Sequence, residues 1–170
     1  MQIPLILISA LTPVVVLLWY IYRKDKVRPE PAKCLLKAFG FGVLSAFLSF
    51  VFSVPVSFLL GMEIDANTYS SISKAFADAF ILAAIPEELA KLIMLWLLLR
   101  KNPHFDERFD GIVYAVCIGM GFAGIENVMY LIGGLEDGSW IGTGIVRALF
   151  AVPAHFLFAV LMGYYYSIYH

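Results

Sequence analysis

Five long apolar stretches follow one another along the chain, separated by short polar segments. They cover residues 3–22, 38–61, 76–99, 111–132 and 141–166. Each is long enough to cross a bilayer as a helix, which takes about 20 residues. The stretches are continuous rather than alternating, which favours helices over the short strands of a membrane β-barrel. The pattern predicts an all-α, polytopic transmembrane helical bundle of about five spans, forming a single integral membrane domain over residues 1–170.

The composition supports the same fold class. The chain is 61% hydrophobic and only 15% charged, whereas soluble domains are about half apolar and a quarter charged. A net charge of −1 gives no reason to expect a nucleic-acid partner, so the lipid bilayer is the expected surroundings. The first stretch has no basic residues before it and no small-residue cleavage site after it, so we interpret it as an uncleaved span rather than a signal peptide.

The connecting segments predict the orientation in a cell membrane. Residues 23–37 contain six Lys or Arg and residues 100–109 contain three, whereas the alternate loops contain only Lys74. Positive residues accumulate in cytoplasmic loops. The multi-pass chain is therefore predicted to have its N-terminus outside and its C-terminus in the cytoplasm.

Ionisable residues interrupt the third stretch at its centre, where AAIPEELAKLI contains Glu87, Glu88 and Lys91. Each charged residue costs about 2.5–3.5 kcal/mol at mid-membrane on insertion scales, so these side chains must face protein or water. Glu87 and Lys91 are four residues apart and share a helix face, while Glu88 is rotated by about 100° from Glu87. Pro86 precedes them and is expected to bend the helix.

Two other spans contain matching polar residues. The fourth contains Glu126 and Asn127, with Phe122 on the face of Glu126, and the fifth contains Arg147 and His155. From the helical rise, Glu87, Glu126 and His155 are expected to converge in the outer half of the membrane. Small residues on the fourth span predict the close helix packing that this convergence needs: Ala115, Gly119 and Ala123, with Gly121 and Gly124 on an adjoining face.

Two glutamates, a histidine and an asparagine are sufficient for non-covalent peptide hydrolysis. A carboxylate can take a proton from water as that water attacks an amide carbon. A histidine or asparagine donor can then stabilise the oxyanion that forms. The chain lacks the G-x-S-x-G and H-E-x-x-H motifs of other hydrolases.

At these residues the sequence resembles the PrsW family of intramembrane proteases, which is related to CAAX-prenyl endopeptidases and bacteriocin self-protection proteins. EELAK (87–91) fits the motif EExxK, FAGIEN (122–127) fits FxxxEN, and His155 with Gly163 resembles the third motif. The resemblance covers about residues 80–165, including FDGIVYAVCIGMGF before the second motif. It implies a glutamate-dependent, site-1-type cut of a membrane-bound protein such as an anti-sigma factor. For this activity we expect a single-span substrate and no cofactor.

The resemblance also implies a role for each matching residue. Glu87 would activate the water, Glu126 would hold or share it, and His155 would be the oxyanion donor. Glu88 and Lys91 would orient the site by ion pairing. Apart from the resemblance, we expect Asn127, Arg147 and Phe122 to support the site, with Arg147 as counter-ion of a buried glutamate. The third motif often has an acidic or amide residue four places after its histidine, and this chain has Ala159 there.

The residues alone leave other functions open. Glu87, Glu126 and His155 could be the ligands of a metal ion in a metal-dependent protease. Acidic residues within spans also mark ion paths, as in an ion-coupled transporter, although no internal repeat supports this. A non-catalytic protective membrane protein is a further alternative.

Overall fold

A computed structural model describes residues 2–26, 28–62 and 71–169 of the chain. The described residues form five helical rods and no strand, which confirms the predicted all-α bundle. The rods are α1 (Gln2–Lys24), α2 (Ala32–Leu60), α3 (from Ile72 to Leu99), α4 (Arg108–Gly133) and α5 (from Trp140 to Tyr169). Two of the rods contain a π-helical segment, Ala79–Ala84 in α3 and Arg147–Ala151 in α5.

Four of these rods are long and apolar enough to cross a membrane: α1, α2, α4 and α5. The rod α3 is not among them, because three ionisable residues, Glu87, Glu88 and Lys91, lie in its middle. The rod α2 begins at Ala32, six residues before the predicted start of the second span, because Pro31 is its N-cap and the helix follows directly. Most of the predicted outer loop before α3 lies outside the described residues.

The rod α4 is the centre of the bundle and packs against all four other rods. In its most apolar stretch 72% of the residues are buried, against 22% in α1, 22% in α2 and 11% in α5. The outer rods expose large apolar side chains that suit contact with lipid acyl chains, such as Phe58 and Phe150. A site inside the bundle can therefore form from side chains of the neighbouring rods that contact α4.

Glycines bring α4 into close contact with two neighbours. At the α2–α4 crossing, a Cβ on Gly42 would collide with the backbone carbonyl of Ile118, and one on Gly121 would collide with that of Phe39. At the α4–α5 crossing, a Cβ on Gly119 would come within 2.8 Å of the Ala159 Cβ. The close packing predicted from the small residues of α4 is thereby confirmed at Gly119 and Gly121.

Replacing Gly42 with alanine is expected to destabilise the bundle by about 1–3 kcal/mol, the usual cost of overpacking. The added methyl group meets backbone on α4, which cannot rotate away as a side chain can. Gly40 is the matched control, because it is on the same helix and a Cβ there meets nothing within 4 Å. Thermal unfolding in detergent micelles should show a lower Tm for Gly42→Ala and an unchanged or higher Tm for Gly40→Ala. Equal Tm values for the two variants would contradict the tight crossing.

The two basic connecting segments lie at the same end of the bundle. Arg28, before α2, forms ion pairs with Asp106 at 3.2 Å and Glu107 at 3.3 Å, before α4. Beside these exposed pairs, the buried hydroxyl of Tyr114 on α4 donates a hydrogen bond to the buried carboxylate of Glu30. These contacts join the two segments, in agreement with the prediction that both face one side of the membrane.

Glu30 is expected to make the stability of this end depend on pH. Burial raises the pKa of its carboxyl group above the ordinary value, and the nearby Asp110 and Asp25 carboxylates raise it further, while the Tyr114 hydrogen bond opposes them. The folded chain therefore holds this proton more tightly than the unfolded chain. The free energy of unfolding falls as pH rises from the ordinary glutamate pKa through the raised one.

A Glu30→Gln variant should lose this part of the pH dependence, because glutamine keeps an acceptor for Tyr114 without a titrating group. Tm measured against pH in micelles checks this expectation. An exposed-acid control, Asp106→Asn, removes a carboxylate from the same end and should leave the slope above the ordinary carboxyl pKa unchanged. A wild-type slope in Glu30→Gln would show that other groups cause the dependence.

Candidate active site

In α3 the site residues Glu87, Glu88 and Lys91 follow a π-helical segment and a proline, and in α5 His155 does the same. In α3 the π segment Ala79–Ala84 ends two residues before Pro86, and in α5 the π segment Arg147–Ala151 ends two residues before Pro153. A proline cannot donate to the preceding turn, and its ring collides with the carbonyl four residues back. A wider turn relieves that collision, so the bend expected at Pro86 takes the form of π turns, which are frequent at functional sites.

Lys91 joins α3 to α5 in the interior of the bundle. Its Nζ lies 2.7 Å from Glu88 Oε1, 3.8 Å from Glu87 Oε2 and 2.9 Å from His155 Nδ1. It also lies 4.0 Å from the centroid of the Phe122 ring on α4, a cation–π distance. Only 2% of the Lys91 side chain is exposed, so these neighbouring groups, rather than water, stabilise its charge.

A second ionic group lies on the α4–α5 side of the site. Arg147 Nη2 donates to Glu126 Oε2 at 2.6 Å, and Arg147 Nε donates to Asn127 Oδ1 at 2.7 Å. The Asn127 amide in turn donates to the carbonyl of Ala10 on α1 at 3.0 Å. The Arg147 guanidinium also lies 4.2 Å from the centroid of the Tyr130 ring. Arg147 therefore acts as counter-ion to Glu126 and fixes its carboxylate.

His155 connects the two ionic groups. Its Nε2 lies 3.0 Å from Glu126 Oε2, and its Nδ1 faces Lys91. Because an ammonium group can only donate, Nδ1 is assigned as the acceptor and Nε2 as the protonated nitrogen. Both ring nitrogens are thus used within the cluster, so the predicted role of His155 as oxyanion donor requires one of these bonds to be exchanged when substrate binds.

A cavity of about 170 Å³ distinguishes the two adjacent glutamates, because only one of them lines it. Glu87 and Glu126 both line this cavity, together with Phe122 and two serines of α2. Glu88 is not among its described lining residues and instead holds Lys91. All eight polar and aromatic residues that the sequence singles out are therefore brought together, with two carboxylates facing the open space: Glu87, Glu88, Lys91, Phe122, Glu126, Asn127, Arg147 and His155.

Ala159, where the third motif often has a polar residue, is part of a helix crossing. It is buried against Gly119 of α4, and it does not appear among the residues described as lining the cavity. A larger polar side chain there would push α4 and α5 apart. In this chain Asn127 lies next to Glu126 and supplies an amide to the site.

The donor atoms present fit a metal ion in number and type. One carboxylate oxygen each from Glu87 and Glu126 and one ring nitrogen of His155 lie within 4.8 Å of one another. Three protein ligands with an open position are typical of a catalytic zinc site. Bound there, a divalent cation would supply Lewis-acid chemistry, and the Arg147 bond to Glu126 would compete with it.

One protein family matches most of the length of this chain. The model described as "PrsW family intramembrane metalloprotease" matches residues 30–170. The chain belongs to the PrsW family. Membership and the apolar helices make the chain a multi-pass membrane protein.

Individual PrsW relatives are similar over nearly the whole chain. Protease PrsW of Geobacillus kaustophilus is 38% identical over 162 residues, which cover 95% of this chain and 65% of the relative. Protease PrsW of Clostridioides difficile is 35% identical, covering 94% and 64%, and that of Bacillus subtilis is 34% identical, covering 94% and 66%. The chain thus spans just under two thirds of the length of these relatives. No solved structure matches it significantly.

Several groups that take part in the site are not indicated by the pattern of polar residues along the sequence. The carbonyl of Ala10 and the ring of Tyr130 take part through backbone and face contacts. Ser49 and Ser53 of α2 line the cavity, although their span has no ionisable residue in its interior. Their recurrence every four residues is the one feature that could have pointed to this face.

Proposed function

We propose that the chain is an intramembrane endopeptidase that hydrolyses a peptide bond of a membrane-bound protein with water activated by glutamate. The observation that carries this proposal is the cavity between Glu87 and Glu126, with His155 within 4.8 Å of both carboxylates. A site for hydrolysis inside a membrane must hold water next to a proton acceptor, and this cavity is bounded by two. Membership of the PrsW family supports the same activity.

In the proposed mechanism Glu87 accepts a proton from a water in the cavity while the water oxygen bonds to the scissile carbonyl carbon. Glu126, fixed by Arg147 at 2.6 Å, holds that water from the other side. The oxyanion is stabilised by donors of the cluster, among which His155 exchanges its bond to Glu126. Glu87 then passes the proton to the amide nitrogen as the C–N bond breaks, so the carboxylate is regenerated.

The proposed substrate is a single-span membrane protein of the anti-sigma-factor type, cut in the site-1 manner. With the N-terminus outside and the basic segments in the cytoplasm, the cavity lies nearer the outer face, because α2 and α4 both run outward and reach it late, at Ser53 and Glu126. A scissile bond in the outer half of the substrate span is the corresponding expectation.

The proposal is tested with the purified chain in liposomes that contain a single-span substrate. Cleavage products are detected by mass spectrometry, and a variant with both Glu87→Gln and Glu126→Gln provides the background. We expect specific cleavage by the wild type and none by the double variant. Product formation by the double variant at the wild-type rate would refute glutamate-activated hydrolysis.

A metal-dependent version of the same activity is favoured by the three donors, Glu87, Glu126 and His155, and by the description of the PrsW family as metalloproteases. The two mechanisms predict different results for metal content. Glutamate-activated water predicts cleavage by protein free of bound metal and resistance to chelators. A metal-dependent protease predicts about one divalent ion per active chain, loss of cleavage with chelator, and loss of the ion in His155→Ala. Elemental analysis of the same liposome sample decides between them.

A further inference from the structure

Serines recur at every fourth residue along one face of α2, at Ser45, Ser49, Ser53 and Ser57, which we call the serine face. Ser45, Ser49 and Ser53 are buried in the bundle rather than exposed to lipid. The hydroxyl groups of Ser45, Ser49 and Ser57 donate to carbonyls three residues back, at 2.6 Å to Gly42, 2.8 Å to Ala46 and 2.8 Å to Val54. Each oxygen therefore keeps lone pairs that can accept a hydrogen bond from another molecule.

The two middle residues of the serine face lie at the two carboxylates of the candidate active site. Ser49 and Ser53 line the same cavity of about 170 Å³ as Glu87 and Glu126. One water occupies about 30 Å³ in the liquid, so the cavity has room for several. A buried water needs two to four polar partners, and these four side chains supply them.

The exposure of the serines increases toward one membrane surface. The exposed fraction is 0% at Ser45 and 6% at Ser49 and Ser53, and Ser57, near the end of α2, is only half-buried. With a rise of about 1.5 Å per residue, Ser57 lies roughly 12 Å beyond Ser49 and roughly 6 Å beyond Ser53, the two serines that line the cavity. The helix ends at Leu60, so the face extends from the cavity to near the surface at which α2 ends.

A buried carboxylate lies toward the same surface. Asp78 of α3 is 4% exposed, and both its carboxylate oxygens lack a hydrogen-bond partner among the described protein groups. It is one turn before Leu82, which lines the cavity. A carboxylate left without hydrogen bonds inside a membrane protein costs several kcal/mol, and water in this region would remove that cost.

We propose that the serine face of α2 is the wall of a path by which water reaches Glu87 and Glu126 from the membrane surface where α2 ends and α3 begins. The inference deepens the proposed function, since it supplies the water that the hydrolysis consumes. The serines hold water through their lone pairs, and Ser49 remains satisfied when water leaves, because its own proton is bonded to the helix backbone.

Cysteine labelling in sealed vesicles tests the path without requiring cleavage. Cys34 and Cys117 are first replaced by alanine, and single cysteines are then introduced as Ser49→Cys and Ser53→Cys. The matched controls are Val51→Cys and Val54→Cys, at similar depth on the same helix but with 63% and 54% of the side chain exposed on the outside of the bundle. A charged methanethiosulfonate reagent is added on the side where α2 ends, because it reacts with thiolates in water and not with thiols in lipid.

We expect both serine-face cysteines to be labelled at least about tenfold faster than both controls. Labelling of all four positions at the same rate would overturn the proposal. Labelled Ser53→Cys should also lose cleavage, whereas treated Val54→Cys should keep it, and retention of full cleavage by fully labelled Ser53→Cys would likewise contradict the path. A chain that is labelled as expected but never cleaves substrate would refute only the protease proposal, so the two failures are distinguishable.

Discussion

Glu87→Gln is expected to abolish cleavage of a single-span substrate, with a loss of at least about 10³-fold in kcat, whereas Glu88→Gln retains activity within about tenfold. General-base catalysis contributes about 10²–10⁴-fold, and only Glu87 of the two lines the cavity with Glu126. Glu88 instead bonds Lys91 at 2.7 Å, and glutamine keeps an oxygen that can accept that bond. The expected difference in kcat between the two variants therefore arises because Glu87, and not Glu88, faces the cavity.

The two variants are close to ideal controls for one another. They are adjacent, at the same membrane depth, and they lose the same charge by the same substitution, so effects on insertion and expression should be similar. The measurement is kcat and KM in liposomes, with Tm of each variant to confirm folding. Similar losses for both variants, or a larger loss for Glu88→Gln, would contradict the assignment of Glu87 as the base.

Much of the site could be predicted from the sequence, because charged residues inside apolar spans are costly unless they meet. Glu87 and Lys91 in α3, Glu126 and Asn127 in α4, and Arg147 and His155 in α5 are each conspicuous in their surroundings. The helical spacing separated Glu87 from Glu88 by face, and the cavity supports that separation. The predicted close packing around Gly119 explains how residues of three spans come within bonding distance.

Other features depend on tertiary geometry that the spacing of residues does not contain. The π turns before Pro86 and Pro153 rotate the residues that follow them about the helix axis. A prediction that assumes a regular helix of 3.6 residues per turn therefore places those side chains at the wrong angle. The bond from Asn127 to the backbone of Ala10 involves a residue with no polar side chain. The engagement of both His155 nitrogens also requires knowing that Lys91 and Glu126 approach from opposite sides of the ring.

Lys91→Met is the second variant with a large expected effect, and it should lower both stability and activity. Removing one partner of a buried ion pair costs about 3–5 kcal/mol, and Lys91 is the cation that meets Glu88, Glu87 and His155 Nδ1. Without the Lys91 ammonium group at Nδ1, either ring nitrogen of His155 can carry the proton. A catalytic group that is misplaced by about 1 Å can cost about 10²-fold in rate, so we expect a fall in kcat of at least that size.

A double variant separates the two effects of Lys91. Adding Glu88→Gln to Lys91→Met removes the carboxylate that lost its partner, so the double variant should recover most of the lost Tm. It should not recover kcat, because the contact with His155 Nδ1 is still missing. The measurements are Tm in micelles and kcat in liposomes for the wild type, both single variants and the double variant, which form a complete cycle. Recovery of kcat together with Tm would mean that Lys91 only balances charge, whereas recovery of Tm alone means that it also positions the histidine on which Glu126 and the water depend.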